Sequence, residues 1–264
     1  MSINLNGYNV LITGGSSGMG YEMTKTLLSH GATVVIAARN KEKLDKAYET
    51  LNSEENDVYA IQMDVTDEES ISKASDWYQE KFDHLDLLIN NAGVGGNIKG
   101  LEEYRKSGQF FDIPTSAFNL IFDTNVLGYF LVSKAFAPMM IKQGKGQIIY
   151  TSTSTETMTR KGMVPYGPSK SAGEAMSDVL SKELQDQGVM VNVICPGGFT
   201  RTPLATPDMI EFFKKNNMPI LEPTVLNRPI LFLASKDAQN ITGEKVIGSK
   251  FDEFLSDHNI KLDY

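Results

Sequence analysis

Six short runs of compact or β-branched apolar residues, each bounded by Gly, Asn, Asp or Pro, alternate with longer amphipathic stretches. The runs are Tyr8–Thr13, Thr33–Ala38, Val58–Met63, Leu85–Asn90, Gln147–Ser152 and Val189–Cys195. The stretches between them include Met19–Ser29, Lys41–Leu51, Glu68–Lys81 and Ala117–Ile141. A strand covered on both faces reads as a continuous apolar run, and strands that alternate with helices pair in parallel through crossovers. The rhythm therefore predicts an α/β fold, a parallel sheet with helices on both faces. No repeat, low-complexity tract or Pro/Ser-rich linker interrupts it, so residues 1–264 are read as a single domain. That is an ordinary length for one such core.

Charge and composition remove several classes of function. Asp and Glu outnumber Lys and Arg by 33 to 25, a net charge of −8, which ill suits a phosphate backbone; no nucleic-acid partner is expected. Cys195, the single cysteine, lies in an apolar run and reads as a small buried hydrophobe rather than a reactive thiol. His30, His84 and His258 are scattered without ligand spacing, so no metal is expected. There is no leader-like segment and no uninterrupted stretch of ~18 apolar residues, so no membrane partner and a cytoplasmic protein are expected.

Two segments break the rhythm. Residues 92–114 are Gly-rich and then charged; residues 196–223 hold five prolines and a short amphipathic piece, Met209–Lys215. Each follows a predicted strand, at the edge where open α/β sheets bind ligands, so both are lid candidates. The second carries Met209, Phe212, Phe213, Met218 and Leu221 with Lys214 and Lys215. Such a set fits a partly apolar ligand, and equally a lid held down by its own packing.

The first run passes directly into TGGSSGMG, Thr13 to Gly20, and then into a helix. Gly14, Gly18 and Gly20 let the backbone turn tightly around Ser16, Ser17 and Met19 and approach a pyrophosphate. The helix N-terminus beyond them offers N–H groups and a positive dipole end. A strand-to-helix turn without ligand is the alternative, weakened by the loop's place in the first βαβ unit. Roughly 20 residues beyond such a loop, an acidic residue usually binds the adenosine ribose of NAD. Here the second strand ends Ala37–Ala38 and continues with Arg39. No carboxylate would repel a 2′-phosphate, and a guanidinium is placed to clamp one, which favours NADP(H). Lys41 and Lys43 follow, as readily a solvated face of the helix start as part of that clamp.

Taken with TGGSSGMG, the motifs NNAG at Asn90–Gly93, YGPSK at Tyr166–Lys170 and PGGFT at Pro196–Thr200 occur in order. With them the chain resembles the short-chain dehydrogenase/reductase family over roughly residues 7–200. The resemblance implies a single-domain Rossmann-type doubly wound parallel sheet of strand order 3-2-1-4-5-6-7, usually as a homodimer or homotetramer. It also implies that Asp64 and Val65 border the adenine, that Asn91, Ala92 and Gly93 line the cofactor trough, and that Pro196, Gly197, Phe199 and Thr200 touch the nicotinamide end.

Tyr166 and Lys170 lie four residues apart at a helix start, on one face. Downstream, Ala172, Met176, Val179, Leu180 and Leu184 read as the buried stripe, so neither residue is needed to build the core. A free Tyr, with a pKa of ~10, is a poor acid–base catalyst at neutral pH; an ammonium and an oxidised nicotinamide nearby would favour its phenolate. The resemblance places a carbonyl-binding serine thirteen residues before the tyrosine. That position is Thr153, with Ser154 the alternative if the loop shifts. Asn125, in DTNVLGYF, matches the family's relay asparagine, 32 residues after Gly93. That spacing exceeds the family's usual one, so an insertion is placed at about 94–114, with a substrate lid at about 200–223. After Ile241-Thr242-Gly243 the chain also departs from the family pattern, which puts the tetramer in doubt.

The expected function is hydride transfer between NADP(H) and a ketone, aldehyde or secondary alcohol. Tyr166, Lys170, Thr153 and Asn125 would be the catalytic residues and a small carbonyl or alcohol the partner. The alternative is an NADP-binding sensor or scaffold without turnover. A nucleotide-sugar epimerase would need more chain after Thr200.

Overall fold

All six runs are strands, and a seventh follows them. In the computed structural model, which describes residues 3–53, 56–95, 98, 101, 104 and 108–262, the strands are β1 (Asn9–Thr13), β2 (Thr33–Ala38), β3 (Val58–Gln62), β4 (Leu87–Asn90), β5 (Gly146–Thr151), β6 (Val189–Cys195) and β7 (Lys245–Ile247). They form one parallel sheet in the order β3-β2-β1-β4-β5-β6-β7. This is the doubly wound Rossmann-type arrangement expected. β1 is buried along its whole length because its side chains alternate between two cores. Val10 and Ile12 enter one with Met23, Leu27 and Phe232; Leu11 enters the other with Val132, Phe136 and Tyr150.

The helices are α1 (Gly18–Leu28), α2 (Lys41–Leu51) and α3 (Glu68–Lys81), then α4 (Thr115–Phe122) and α5 (Gly128–Gln143). They continue with α6 (Thr155–Thr159), α7 (Tyr166–Leu184), α8 (Pro207–Lys215), α9 (Asn227–Ala234) and α10 (Phe251–Asp257). The long stretch predicted over Ala117–Ile141 is not one α-helix. A five-residue π-helical turn, Asp123–Leu127, separates α4 from α5 and carries Asn125. Such turns insert a residue into the helical repeat and re-aim one side chain. Thr115–Gln143 is long and apolar enough to cross a membrane, but half of its most apolar window is buried inside the fold. It is the core helix under β4 and β5.

The stripe predicted for α7 is corrected. The buried residues are Gly167, Ser169, Lys170, Gly173, Ser177, Ser181 and Leu184, whereas Val179 is 52% exposed. Small residues let α7 lie close against the sheet: a Cβ on Gly173 would stand 2.3 Å from the Tyr150 ring. The apolar residues Met176 and Leu180 flank that contact rather than make its centre.

The atypical C-terminal segment packs onto its own chain. Phe251 and Phe254 of α10 meet Phe232 of α9, with ring centroids 5.7 and 5.9 Å apart. All the parallel strands end at one edge, and the loops that leave that edge build the site.

Candidate active site

The loop from β1 to α1 has the backbone the glycines were expected to permit. Gly14 (φ +68°) and Gly18 (φ +57°) are left-handed, a region that costs a side chain-bearing residue about 1 kcal/mol or more. A Cβ on Gly20 would stand 2.3 Å from the carbonyl oxygen of Gly14, so the helix can start this close to the turn only with glycine there. Ser17 caps α1 without a side-chain hydrogen bond, and the first turn carries no acid. The helix therefore presents its N-terminal N–H groups toward the turn of Ser16 and Ser17. Asn91 braces the loop, its Nδ2 donating to the carbonyls of Thr13 and Gly14, both at 3.2 Å. Thr13 Oγ1 accepts from the N–H groups of Asn91 and Ala92, both at 3.0 Å.

Farther along the same edge, Arg39 is exposed, with Nη1 3.6 Å from Asp64 Oδ2. Burial opposes ionisation of Asp64. Hydrogen bonds from the backbone and hydroxyl of Thr66, with the Arg39 charge, outweigh it and hold the carboxyl below its usual range. Val65 follows, buried under the start of α5. Lys41 is paired with Asp45 on the exposed face of α2.

At the end of β5 the proposed chemical groups meet. The hydroxyl of Thr153 lies beside the phenol of Tyr166, and this contact favours the phenolate. Burial is stronger and pushes the phenol up to about 12. Lys170 Nζ lies 6.0 Å from the Tyr166 ring centroid and donates to the carbonyl oxygen of Thr151 at 2.8 Å. Its ammonium is aimed along the end of β5.

Lys170 itself is brought down to about 8 by burial, with Glu174 acting in the opposite sense. Between pH ~8 and ~10.5 the unfolded chain thus binds more protons than the folded one, and stability rises with pH across that window. A fall from 10.5 to about 8 corresponds to roughly 3 kcal/mol. Thermal unfolding of Lys170→Met should lack this rise while the parent shows it; parallel pH curves for the two proteins would contradict it.

Asn125, fully buried, is wholly engaged by its side chain. Oδ1 accepts from the N–H of Val94 at 2.9 Å, and Nδ2 donates to the Val94 carbonyl at 2.9 Å and to Ser169 Oγ at 3.0 Å. It clamps the segment after Gly93 to the start of α7. Its own carbonyl accepts from Tyr150 Oη at 3.1 Å.

Two groups escaped the sequence. Ser169 was hidden inside YGPSK as a spacer. Glu174 accepts from Ser152 Oγ at the end of β5 and pairs with Lys245 of β7 at 2.7 Å. Its spacing of four from Lys170 was the available signal.

A cavity of about 620 Å³ opens beside Tyr166. Met19 and Pro196–Thr200 bound it on the side of the glycine loop. Phe199 stacks on Phe213 of α8 at 4.1 Å between centroids, and the stretch 199–201 pairs with Leu221 through two main-chain hydrogen bonds, so residues 200–223 are tied over the cavity. Phe212, grouped with the lid's apolar residues, points outward and is 57% exposed. Of the insertion at about 94–114, residues 96, 97, 99, 100, 102, 103 and 105–107 lie outside the described residues. Leu101 and Tyr104 are buried beside the cavity, and Tyr104 Oη accepts from the N–H of Val164 at 3.3 Å.

Comparison with known proteins agrees with this geometry. The family model for short chain dehydrogenases matches residues 8–209. The chain is 32% identical over 258 residues to (+)-borneol dehydrogenase 2 of Salvia officinalis, covering 92% of this chain and 88% of the relative. A short-chain type dehydrogenase/reductase from Mycobacterium marinum superposes with a TM-score of 0.82 at 27% identity, over 94% of this chain and 97% of that one. A 3-ketoacyl-(acyl-carrier-protein) reductase from Brucella melitensis, complexed with NADH, gives 0.78 at 26% identity, over 94% and 100%. The chain belongs to the short-chain dehydrogenase/reductase family of oxidoreductases.

Proposed function

We propose that the protein is an NADP(H)-dependent oxidoreductase that interconverts a ketone or aldehyde and an alcohol, with Tyr166 as its proton donor and acceptor. The observation that carries this reading is the phenol of Tyr166, which lines, with the Thr153 hydroxyl beside it, a cavity that runs to Met19 at the glycine loop. The residues fit a dinucleotide. The cradle at Gly14, Gly18 and Gly20 is one that a Cβ would fill, and the first turn of α1 carries no competing carboxylate. Ser16, Ser17, Gly18 and Met19 would hold the pyrophosphate; Asp64 and Val65 the adenine side; Asn91, Ala92, Gly93 and Lys170 the ribose; Pro196, Gly197, Phe199 and Thr200 the nicotinamide end.

A reduced nicotinamide bound there supplies a hydride to a carbonyl carbon, and its oxidised form takes one from a carbinol carbon. Tyr166 gives its phenolic proton to the carbonyl oxygen, so the carbonyl group gains one hydride and one proton and becomes an alcohol. Thr153 donates to the same oxygen as negative charge develops on it. The phenolate regains a proton from solvent by way of Lys170, in the sector that Asn125 keeps in place. In the reverse direction each transfer is inverted. We read the chain as one domain that acts as a homodimer or homotetramer. Leu127 in the π turn and Phe130 just after it, both 44% exposed, and Val179 on α7 support a contact through those helices.

Arg39 supports NADP(H), although a structural neighbour binds NADH. Arg39→Ala would remove the clamp and leave Asp64, its partner at 3.6 Å, to face the 2′-phosphate. A charge-assisted contact of ~1.5–3 kcal/mol corresponds to about 10–150-fold in affinity, and solvent screening at this exposed position favours the lower half of that span. NADPH should weaken by that factor in a binding titration and NADH hardly at all; equal losses would remove the assignment. The function is tested by following reduced-nicotinamide absorbance with NADPH against a panel of ketones, aldehydes and keto acids. Tight NADPH binding without turnover of any of them would favour the sensor or scaffold instead.

A further inference from the structure

The cavity beside Tyr166 has walls that neither the sheet nor the dinucleotide trough requires. One is supplied by the insertion: Leu101 and Tyr104, 2% and 4% exposed, pack with Ala117 and Ile121 into a small core of their own. A second comes from the lid, through Met209 and Phe213, and a third from Met163 and Val164, which lead into Tyr166. The volume, about 620 Å³, lies in the middle of the ~300–1,000 Å³ span of small-molecule sites. The trough claims only the part along Met19 and Pro196–Thr200.

Among the described residues, charge is confined to the rim. Among the described residues that line the cavity, Glu156 and Arg160 are the charged ones, and both are exposed. Lys214 and Lys215 of α8 are exposed and do not line it. Lys170 is turned toward the Thr151 carbonyl. Deep in the cavity the polar groups are hydroxyls: Thr153 and Tyr166, with Ser152 already given to Glu174. A carboxylate or phosphate drawn in to reach Tyr166 would lose its water and meet no buried cation among the described lining residues, a heavy penalty. An apolar body gains on every wall. Because the walls enclose it on three sides, a compact body keeps more contact than a flexible chain, which also loses rotamer freedom on binding.

We infer that the site takes a neutral ketone or secondary alcohol with a compact, ring-built hydrocarbon body, and that Leu101 and Tyr104 of the insertion set the size it accepts. This rests on the oxidoreductase reading above.

The test titrates four probes into the cofactor-loaded protein by calorimetry: a decalone, cyclohexanone, a linear methyl ketone with as many carbons as the decalone, and pyruvate. Each additional buried carbon is worth about fourfold in affinity, so the decalone should bind on the order of 10²-fold tighter than cyclohexanone. It should also bind more tightly than the linear ketone, and pyruvate should show no saturable binding. Tyr104→Ala should lower the ratio of decalone to cyclohexanone affinity about tenfold, the size of a few lost methylene contacts. Because Tyr104 also holds Val164, Met209→Trp narrows the cavity from the half-buried lid side and should lower the same ratio by a similar factor. Pyruvate binding as tightly as the decalone, a linear ketone preferred to it, or a Met209→Trp ratio equal to the parent's would overturn the inference. Turnover that survives Tyr166→Phe would overturn the reading beneath it instead.

Discussion

Tyr166→Phe should bind NADPH as the parent protein does and turn over on the order of 10²–10⁴ more slowly, the span that general acid–base groups contribute. The substitution deletes one hydroxyl and leaves a ring of the same shape, so the start of α7 and its contact with the segment at Gly95 are kept. What is lost is the proton and the polar contact with Thr153. Burial holds the phenol protonated, with its pKa pushed up to about 12 before a cofactor is bound. That is the form needed to protonate a carbonyl oxygen. Alcohol oxidation needs the phenolate, which the positive charge of an oxidised nicotinamide and the ammonium of Lys170 both favour. The oxidation rate should therefore climb with pH as the phenol in the loaded enzyme titrates. Near-normal turnover in the Phe variant would make Tyr166 a packing residue.

How much of this was legible in the sequence depended on the range of the interaction concerned. Strands β2 and β6 and helices α2 and α3 have the bounds that their apolar runs and amphipathic stretches announced, because two-sided burial of a strand leaves a continuous apolar signature. Motif residues such as Gly14, Asn91 and Tyr166 were visible because backbone demands and chemistry restrict them to few residue types. The split at Asn125 was not visible: DTNVLGYF satisfies an α-helical and a π-helical turn equally well, and only the contacts of Asn125 with Val94 and Ser169 choose between them. The buried face of α7 is hidden in the sequence for a similar reason. Apolar size does not mark burial on this helix: close approach to Tyr150 demands Gly173, Ser177 meets Tyr129, and Val179 is left outside. The insertion's wall depends on Leu101 and Tyr104, whose partners Ala117 and Ile121 lie well along the chain.

The choice between Thr153 and Ser154 was open in the sequence, although the run held a clue. Ser154 followed at the third position by Thr157 is a helix N-cap pattern, and Ser154 is spent in that way. Its Oγ accepts from the N–H of Thr157 at 3.3 Å and meets Thr157 Oγ1 at 3.1 Å, capping α6. Thr153, one residue earlier, is buried with its hydroxyl beside the Tyr166 phenol. Thr153→Val keeps the branched shape and removes the hydroxyl. Deleting one donor to a developing alkoxide costs ~2.7–4 kcal/mol, so turnover should fall about 10²–10³-fold. Thr153→Ser retains the donor and should stay active, with a wider pocket where the methyl stood. Ser154→Ala should cost about 1 kcal/mol of stability through the lost cap, and less than about tenfold in rate. A short helix beside the cavity loosens slightly in that variant, but no group is withdrawn from the reacting oxygen. If Ser154→Ala were the crippled variant and Thr153→Val the active one, the hydroxyl that meets the substrate would be the capping one, and the loop would have to shift by one residue when cofactor and substrate bind.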